Sequence, residues 1–326
     1  MSAAAFSTAA LRGPARIEIN EVAPRDGLQI EPVVVPTDAK VAFVDALSAC
    51  GFARIEATSF TSAKAIPALA DAEALMHRMR RQPDVRYTAL VPNLRGLERA
   101  LSCRPDEVNL VMSTSETHNR ANLRMTRGQS QAQLLAMIAE ARAAGVPVNV
   151  SLSTVFGCPF EGEVGSDAVM ALAESFADAG AEGITLCDTT GMAYPNQVAQ
   201  VCEQFQQRFP DTALTIHLHN TRGMGLANAV AAWETGVRRF DAAAGGLGGC
   251  PYAPGASGNV STEELVHMFA CMGVQTGVDL PALLDVVAGI PALVDRDVGS
   301  QLLRAGPRLR THQPPAWLVE HFAGQD

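Results

Sequence analysis

Eight short apolar segments recur along the chain, each followed by a stretch with helical spacing, and this alternation limits the fold more than any other feature of the sequence. The strand-like segments are Arg16–Val22, Ala53–Ser59, Arg86–Val91, Glu107–Met112, Val148–Ser153, Gly183–Cys187, Leu214–His219 and Arg238–Ala243. Between them, Thr37–Cys50, Ser130–Ala144, Asp167–Gly180, Pro195–Phe209 and Met224–Gly236 carry apolar residues at helical intervals. Gly51, Gly145, Gly180 and Gly236 stand where those helices should stop. Eight such units in about 230 residues predict an α/β fold of the (β/α)8 TIM-barrel kind, with a doubly wound open sheet as the alternative. Residues 1–15 read as a frayed N-terminal extension, 16–275 as the barrel, and 276–326 as extra C-terminal helices packed on it, with Pro281–Val294 as an apolar helix.

A barrel places chemistry at the C-terminal ends of its strands and in the loops that follow. The polar outliers of this sequence fall there: Arg25 and Asp26 after the first strand, Glu56 on the second, Asp188 after the sixth, and His217 and His219 on the seventh. Residues i and i+2 of a strand share a face, so the two imidazoles project together. They read either as a pair of metal ligands or as two histidines capping a buried strand through local hydrogen bonds. The glycine-rich loop after the eighth strand runs from Gly245 to Asn259. It is not a dinucleotide fingerprint, because the third glycine would fall on Pro251, and no Walker lysine follows. It reads as a lid carrying Cys250 and Asn259.

Composition removes other classes. A net charge of −9 and a pI near 5.3 leave no basic footprint for nucleic acid or an anionic membrane surface. No apolar run reaches the ~18 residues of a membrane helix. Seven cysteines without a C-x-x-C pair suit reduced thiols and a cytoplasmic protein. The Ala- and Ser-rich start faintly resembles a transit peptide, but a frayed extension fits it better.

Five motifs, in order, carry a resemblance: Glu21-Val-Ala-Pro-Arg-Asp-Gly-Leu-Gln29, Ile55-Glu-Ala-Thr-Ser-Phe60, Cys187-Asp-Thr-Thr-Gly191, His217-Leu-His219 and the whole loop Gly245 to Asn259. From about residue 16 to 275 the chain resembles 3-hydroxy-3-methylglutaryl-CoA lyase, in the metallolyase TIM-barrel family. The resemblance implies that Asp26, His217, His219 and Asn259 hold one divalent cation. Two nitrogens with hard oxygens suit Mg²⁺ or Mn²⁺ better than a tetrahedral zinc site. It implies retro-Claisen cleavage to acetoacetate and acetyl-CoA in leucine catabolism by a homo-oligomer, a dimer or tetramer. Arg25 would stabilise the enolate oxyanion, and Cys250 would transfer a proton in the closed site. Glu56 and Asp188 are the acid/base candidates, with an ion pair to Arg25 as the other role for Glu56. Arg25 and Lys64 are candidate CoA contacts.

Several positions depart from the family pattern. His219 is followed by Asn-Thr-Arg-Gly-Met224 where the family has Asp and a Tyr-Gly-Gln run. An asparagine cannot hold a ligand histidine as a carboxylate does, so the support of the metal ligands is expected to differ. Ser151 stands at the family's acyl-pocket tyrosine, and Ile30 follows Gln29 where an asparagine is usual. Gln29, Ser151 and Arg222 are the candidate substrate-binding residues, Arg222 being either a carboxylate clamp or a surface charge. These changes keep open a sister lyase acting on a relative such as citramalyl-CoA. A catalytically silent binding barrel is the reading from another class. A synthase running the same enolate in the condensing direction usually carries a terminal regulatory domain, for which the residues after the barrel leave little room.

Overall fold

The computed structural model describes residues 13–249 and 258–318. Its centre is a closed barrel of eight parallel strands in sequence order, so the barrel and not the open sheet is the fold. The strands are β1 Glu18–Glu21, β2 Arg54–Ser59, β3 Arg86–Leu90, β4 Glu107–Ser113, β5 Val148–Ser153, β6 Gly183–Asp188, β7 Ala213–Leu218 and β8 Arg239–Ala242. Each lies within or beside the segment expected from the apolar runs, and helices fill the intervals, among them Thr37–Ser48, Arg127–Ala143, Ser166–Asp178, Pro195–Arg208 and Gly225–Glu234.

The strand alternation separates two environments. Ile19, Ile55, Tyr87, Val108, Val150, Ile184, Ile216 and Phe240 are at most 1% exposed and belong to the main apolar core, which lies between the strands and the helices. The intervening residues, including Asn20, Thr88, Asn109, Asn149, Thr185 and Thr215, line a small polar cavity inside the barrel. Barrel interiors are more often filled by branched apolar side chains. Here the floor is an ion-pair cluster: Arg54 Nη1 donates to both carboxylate oxygens of Glu107 at 2.5 and 2.6 Å, and Arg239 Nε donates to Glu18 at 3.0 Å. Further up the axis, Asn149 donates to Asn109 and Thr185 at 2.9 Å, so polar side chains bond to one another across the interior.

After the barrel, the helix Leu280–Val294 buries Leu283, Val287, Ile290 and Val294. It packs against the helices Thr37–Ser48 and Thr262–Cys271 and against the turn Ala244–Gly246, where the glycine-rich loop begins. A Cβ on Gly245 would stand 3.3 Å from both Ile290 and Val298. The C-terminal helices therefore brace the root of that loop. At the other end, Pro14 and Ala15, read from the sequence as part of a frayed extension, are tied to the barrel. The Trp233 indole donates to the Pro14 carbonyl at 2.8 Å, and Gln275 N–H donates to the Ala15 carbonyl at 2.9 Å.

Candidate active site and metal centre

The chain leaves β1 through a single turn of π-helix, Ala23–Gly27. The Val22 carbonyl accepts the N–H groups of Arg25, Asp26 and Gly27 at 3.1, 2.8 and 3.3 Å, while Pro24 has no N–H to satisfy. Single π turns recur at functional sites. This one aims Arg25 and Asp26 over the barrel mouth. From the far side, β7 delivers His217, and His219 extends the strand by one backbone bridge to Asn259. The return leg of the glycine-rich loop thus lies directly on the end of β7.

Asp26, His217 and His219 each present one ligand atom, all within 4.8 Å of one another. Asn259 completes the group: its Nδ2 donates to Asp26 at 2.7 Å and to the Leu247 carbonyl at 2.9 Å, which leaves its buried Oδ1 without a partner. Both amide hydrogens are spent, so the bare oxygen is an acceptor awaiting a cation. The two Nε2 atoms of His217 and His219 face each other at 3.2 Å. Burial and then the neighbouring His217 hold His219 down to about 3, so it stays neutral. Asp26, against a burial effect that would raise it, is drawn down to about 2 by Arg25 and the two histidines. A neutral His219 beside an ionised Asp26 is the pairing a metal requires of those two ligands. The donor set fits a divalent ion.

Only glycine allows the loop to pass so close to this group. Gly248 has φ of +100°, and a Cβ there would meet Asn259 Nδ2 at 2.5 Å; one on Gly258, with φ of +92°, would meet the Gly248 carbonyl at 2.4 Å.

Arg25 is buried and doubly engaged. Its Nε donates to Glu56 at 2.5 Å and its Nη1 to Asp26 at 2.6 Å. Burial pushes the Glu56 carboxyl up, while Arg25 and Asn109 hold it down. With Asn109 Nδ2 on its second oxygen at 2.9 Å, Glu56 has both oxygens occupied. Asp188 is different: Oδ1 accepts from Met192 and Ala193 N–H at 2.7 and 3.2 Å, and Oδ2 is buried without a partner. Burial, opposed by those two N–H groups and by nearby His217 and Arg222, pushes Asp188 up to about 6.

The other sequence candidates are more scattered. Gln29 is half-buried beyond the π turn, and Ile30 is 42% exposed, close enough to Gly249 that a Cβ there would meet it at 2.9 Å. Ser151 sits inside the barrel, donating to Asn109 Oδ1 at 2.9 Å. Arg222 Nη1 donates to the carbonyls of Thr190 and Gly191 at 3.1 and 2.8 Å, so it braces the loop after β6. Lys64 is exposed in the loop after β2. Cys250 lies outside the described residues.

The Asn220 that follows the two histidines was expected to change how the ligands are supported; His219 Nδ1 is buried without a partner, and Asn220 does not supply one. The Asn220 Oδ1 instead accepts from Gly225 N–H at 3.0 Å and starts the next helix, while His217 has a carboxylate from Asp241 of β8, whose Oδ2 is 3.1 Å from His217 Nδ1. Asp241 in turn accepts from Asn20 at 2.9 Å. Against burial, Asp241 raises the His217 pKa. Sequence reasoning missed Asp241, although a signal existed. It occupies an inward position on the strand beside β7 and is the register partner of His217.

A TIM barrel with a nitrogen- and oxygen-rich divalent site at its C-terminal mouth defines a metal-dependent barrel enzyme. Residues 16–290 match the model of the HMGL-like family, and the chain belongs to that family. It is a carbon–carbon lyase that depends on a divalent metal. The chain is 42% identical to an (R)-citramalyl-CoA lyase of Chloroflexus aurantiacus, the match covering 89% of this chain and 95% of that one. It is 43% identical to a hydroxymethylglutaryl-CoA lyase of Bacillus subtilis, covering 89% and 97%. Among solved structures, an HMG-CoA lyase from Acinetobacter baumannii in complex with coenzyme A and 3-methylmalate matches with a TM-score of 0.89 and 48% identity, covering 92% of this chain and 98% of that one.

Proposed function

We propose that the protein cleaves 3-hydroxy-3-methylglutaryl-CoA to acetoacetate and acetyl-CoA, using Mg²⁺ or Mn²⁺ held by Asp26, His217, His219 and Asn259. The bare Asn259 Oδ1, buried beside three convergent ligand atoms, carries this proposal. The cation, when bound, supplies the Lewis acidity that makes the substrate's tertiary hydroxyl easier to deprotonate. Asp188 is the base: its Oδ2 has no other partner, and a pKa of about 6 leaves it ionised at neutral pH yet basic enough to take a proton. As the hydroxyl loses its proton to Asp188, the C2–C3 bond breaks, the ketone leaves, and the electron pair stays on the acetyl thioester as an enolate. Arg25, fixed by Glu56 and Asp26, carries the enolate oxygen's charge. Cys250 hands a proton to the enolate carbon, giving acetyl-CoA. Glu56 acts by holding Arg25 rather than as an acid or base.

Citramalyl-CoA is the second substrate reading. The near-equal identity to the two curated lyases favours it, as do Ser151, Ile30 and Asn220 at positions where the methylglutaryl-CoA lyase pattern has other residues. Gln29 and Arg222 belong to the same proposal as substrate-side residues, Arg222 through the loop it braces. We place the protein in the cytoplasm as a homo-oligomer acting in leucine catabolism; no helix among the described residues is long and apolar enough to cross a membrane. The test is a panel of 3-hydroxyacyl-CoAs with Mg²⁺ or Mn²⁺. Acetoacetate from methylglutaryl-CoA is the expected product. Pyruvate from citramalyl-CoA with the first substrate untouched would select the sister lyase, and silence on the whole panel with metal bound would sink both.

A further inference from the structure

Glu56 is 1% exposed and has two oxygens to satisfy inside the barrel. Arg25 takes one, and Asn109, on β4 two strands away, takes the other at 2.9 Å. An ionised carboxylate only accepts, so the Asn109 amide must turn its nitrogen to Glu56 and its oxygen away. That oxygen then receives two donors, Ser151 Oγ and Asn149 Nδ2, both at 2.9 Å from β5. Asn149 also donates to Thr185 of β6 at 2.9 Å. The donors start on β5: Ser151 and Asn149 donate to Asn109 of β4, whose amide donates to the carboxylate holding Arg25, while the other Asn149 hydrogen goes outward to Thr185 of β6. Reversing the Asn109 amide would set its oxygen against the carboxylate, and reversing Asn149 would set its oxygen against that of Asn109.

We propose that Asn109 is a positioning residue of the lyase reaction, the node through which the polar barrel interior fixes the Glu56–Arg25 pair at the geometry the enolate oxygen requires. This rests on the proposed role of Arg25 and extends it inward, to a residue that touches neither metal ligand nor reacting atoms. Without the amide, one oxygen of Glu56 is buried with no donor, and the carboxylate rotates toward whatever donor it finds, taking the guanidinium with it. Asn109 itself bonds to none of the metal ligands, and its one link to them is indirect, through Arg25 to Asp26.

The experiment joins kinetics to a spectroscopic readout on the full chain. The Arg25 Nε–H resonance in a ¹H–¹⁵N spectrum of the metal-free protein, assigned by its loss in Arg25→Lys, reports the bond to Glu56 directly. In Asn109→Leu the resonance should move, kcat should fall on the order of 10²-fold as for a misplaced catalytic group, and KM and Mn²⁺ affinity should stay near wild type. The double variant Asn109→Leu/Glu56→Gln should be no slower than Glu56→Gln alone, because the two residues act as one unit. An unmoved resonance, losses that multiply, or a raised KM with kcat kept would overturn the role. If Asn109→Leu does not fold, Asn109→Ser gives the same test with room for a water. Should wild type cleave none of the acyl-CoAs, the functional reading fails while the Arg25 resonance still decides whether Asn109 orients the pair.

Discussion

The two residues that flank the metal group, Arg25 and Asp241, lead to separable outcomes. Arg25 is held by two carboxylates and faces the site as a fixed cation, so Arg25→Ala should lower kcat by about 10²–10³-fold, the usual loss for one oxyanion donor. The variant should still bind metal, as titration with Mn²⁺ would show; near-normal turnover would remove Arg25 from the mechanism. Asp241 accepts from His217 Nδ1, which fixes the tautomer that turns Nε2 to the cation. Asp241→Asn should therefore weaken Mn²⁺ binding by about 10–100-fold, read by calorimetry or by electron paramagnetic resonance of free Mn²⁺. Unchanged affinity would mean that the hydrogen bond is only structural. At this scale the sequence was legible wherever a polar residue stood at or just past the end of an apolar strand, as with Asp26, His217 and His219. It was not legible for Asp241 or Asn109, because an inward polar residue in mid-strand resembles a packing exception until the strand register is known. Arg222 marks the opposite limit: its position beyond β7 left a carboxylate clamp and a surface charge both open, because where its side chain turns depends on the neighbouring loop.

Among the elements, the root of the glycine-rich loop is held by two buried carboxyls. Glu21 ends β1 and accepts from Ala23 and Ala244 N–H at 2.8 and 3.0 Å and from Thr262 Oγ1 at 2.8 Å; Glu263 accepts from Gly245 N–H at 3.0 Å. Burial, opposed by those three hydrogen bonds, raises Glu21 from an ordinary 4.5 to about 8. A raised folded-state pKa means that the native chain holds a proton the unfolded chain has released. Its contribution to stability is complete below the unfolded value and disappears as pH rises through the folded one. Thermal stability of the metal-free protein should therefore decline between about pH 4.5 and 8 on this account, and Glu21→Gln, which keeps the shape and stays neutral, should flatten that decline. A calorimetric pH series with the same slope in both proteins would assign the effect to other groups. The strands and helices were readable because their apolar alternation is what packs the shell around the barrel. The π turn of Ala23–Gly27 was not readable: it differs from a loop only in backbone bonds to the Val22 carbonyl, which no residue pattern announces.

On the scale of the whole molecule, closure of the barrel brings residue 26 beside residue 259. β1 pairs with β8, so the first and last loops meet, and Asn259 donates to Asp26 at 2.7 Å across 233 positions of sequence. No local motif could assemble that site, and an open sheet would leave its halves apart. The same closure makes the metal central to the account, since its four proposed ligands come from three separate stretches of chain. The most direct measurement is acetyl-CoA release from 3-hydroxy-3-methylglutaryl-CoA by the purified protein before chelation, after chelation and dialysis, and after return of Mg²⁺ or Mn²⁺. Turnover should vanish with the metal and return in proportion to the metal bound; turnover that persists in the metal-free protein would contradict the account.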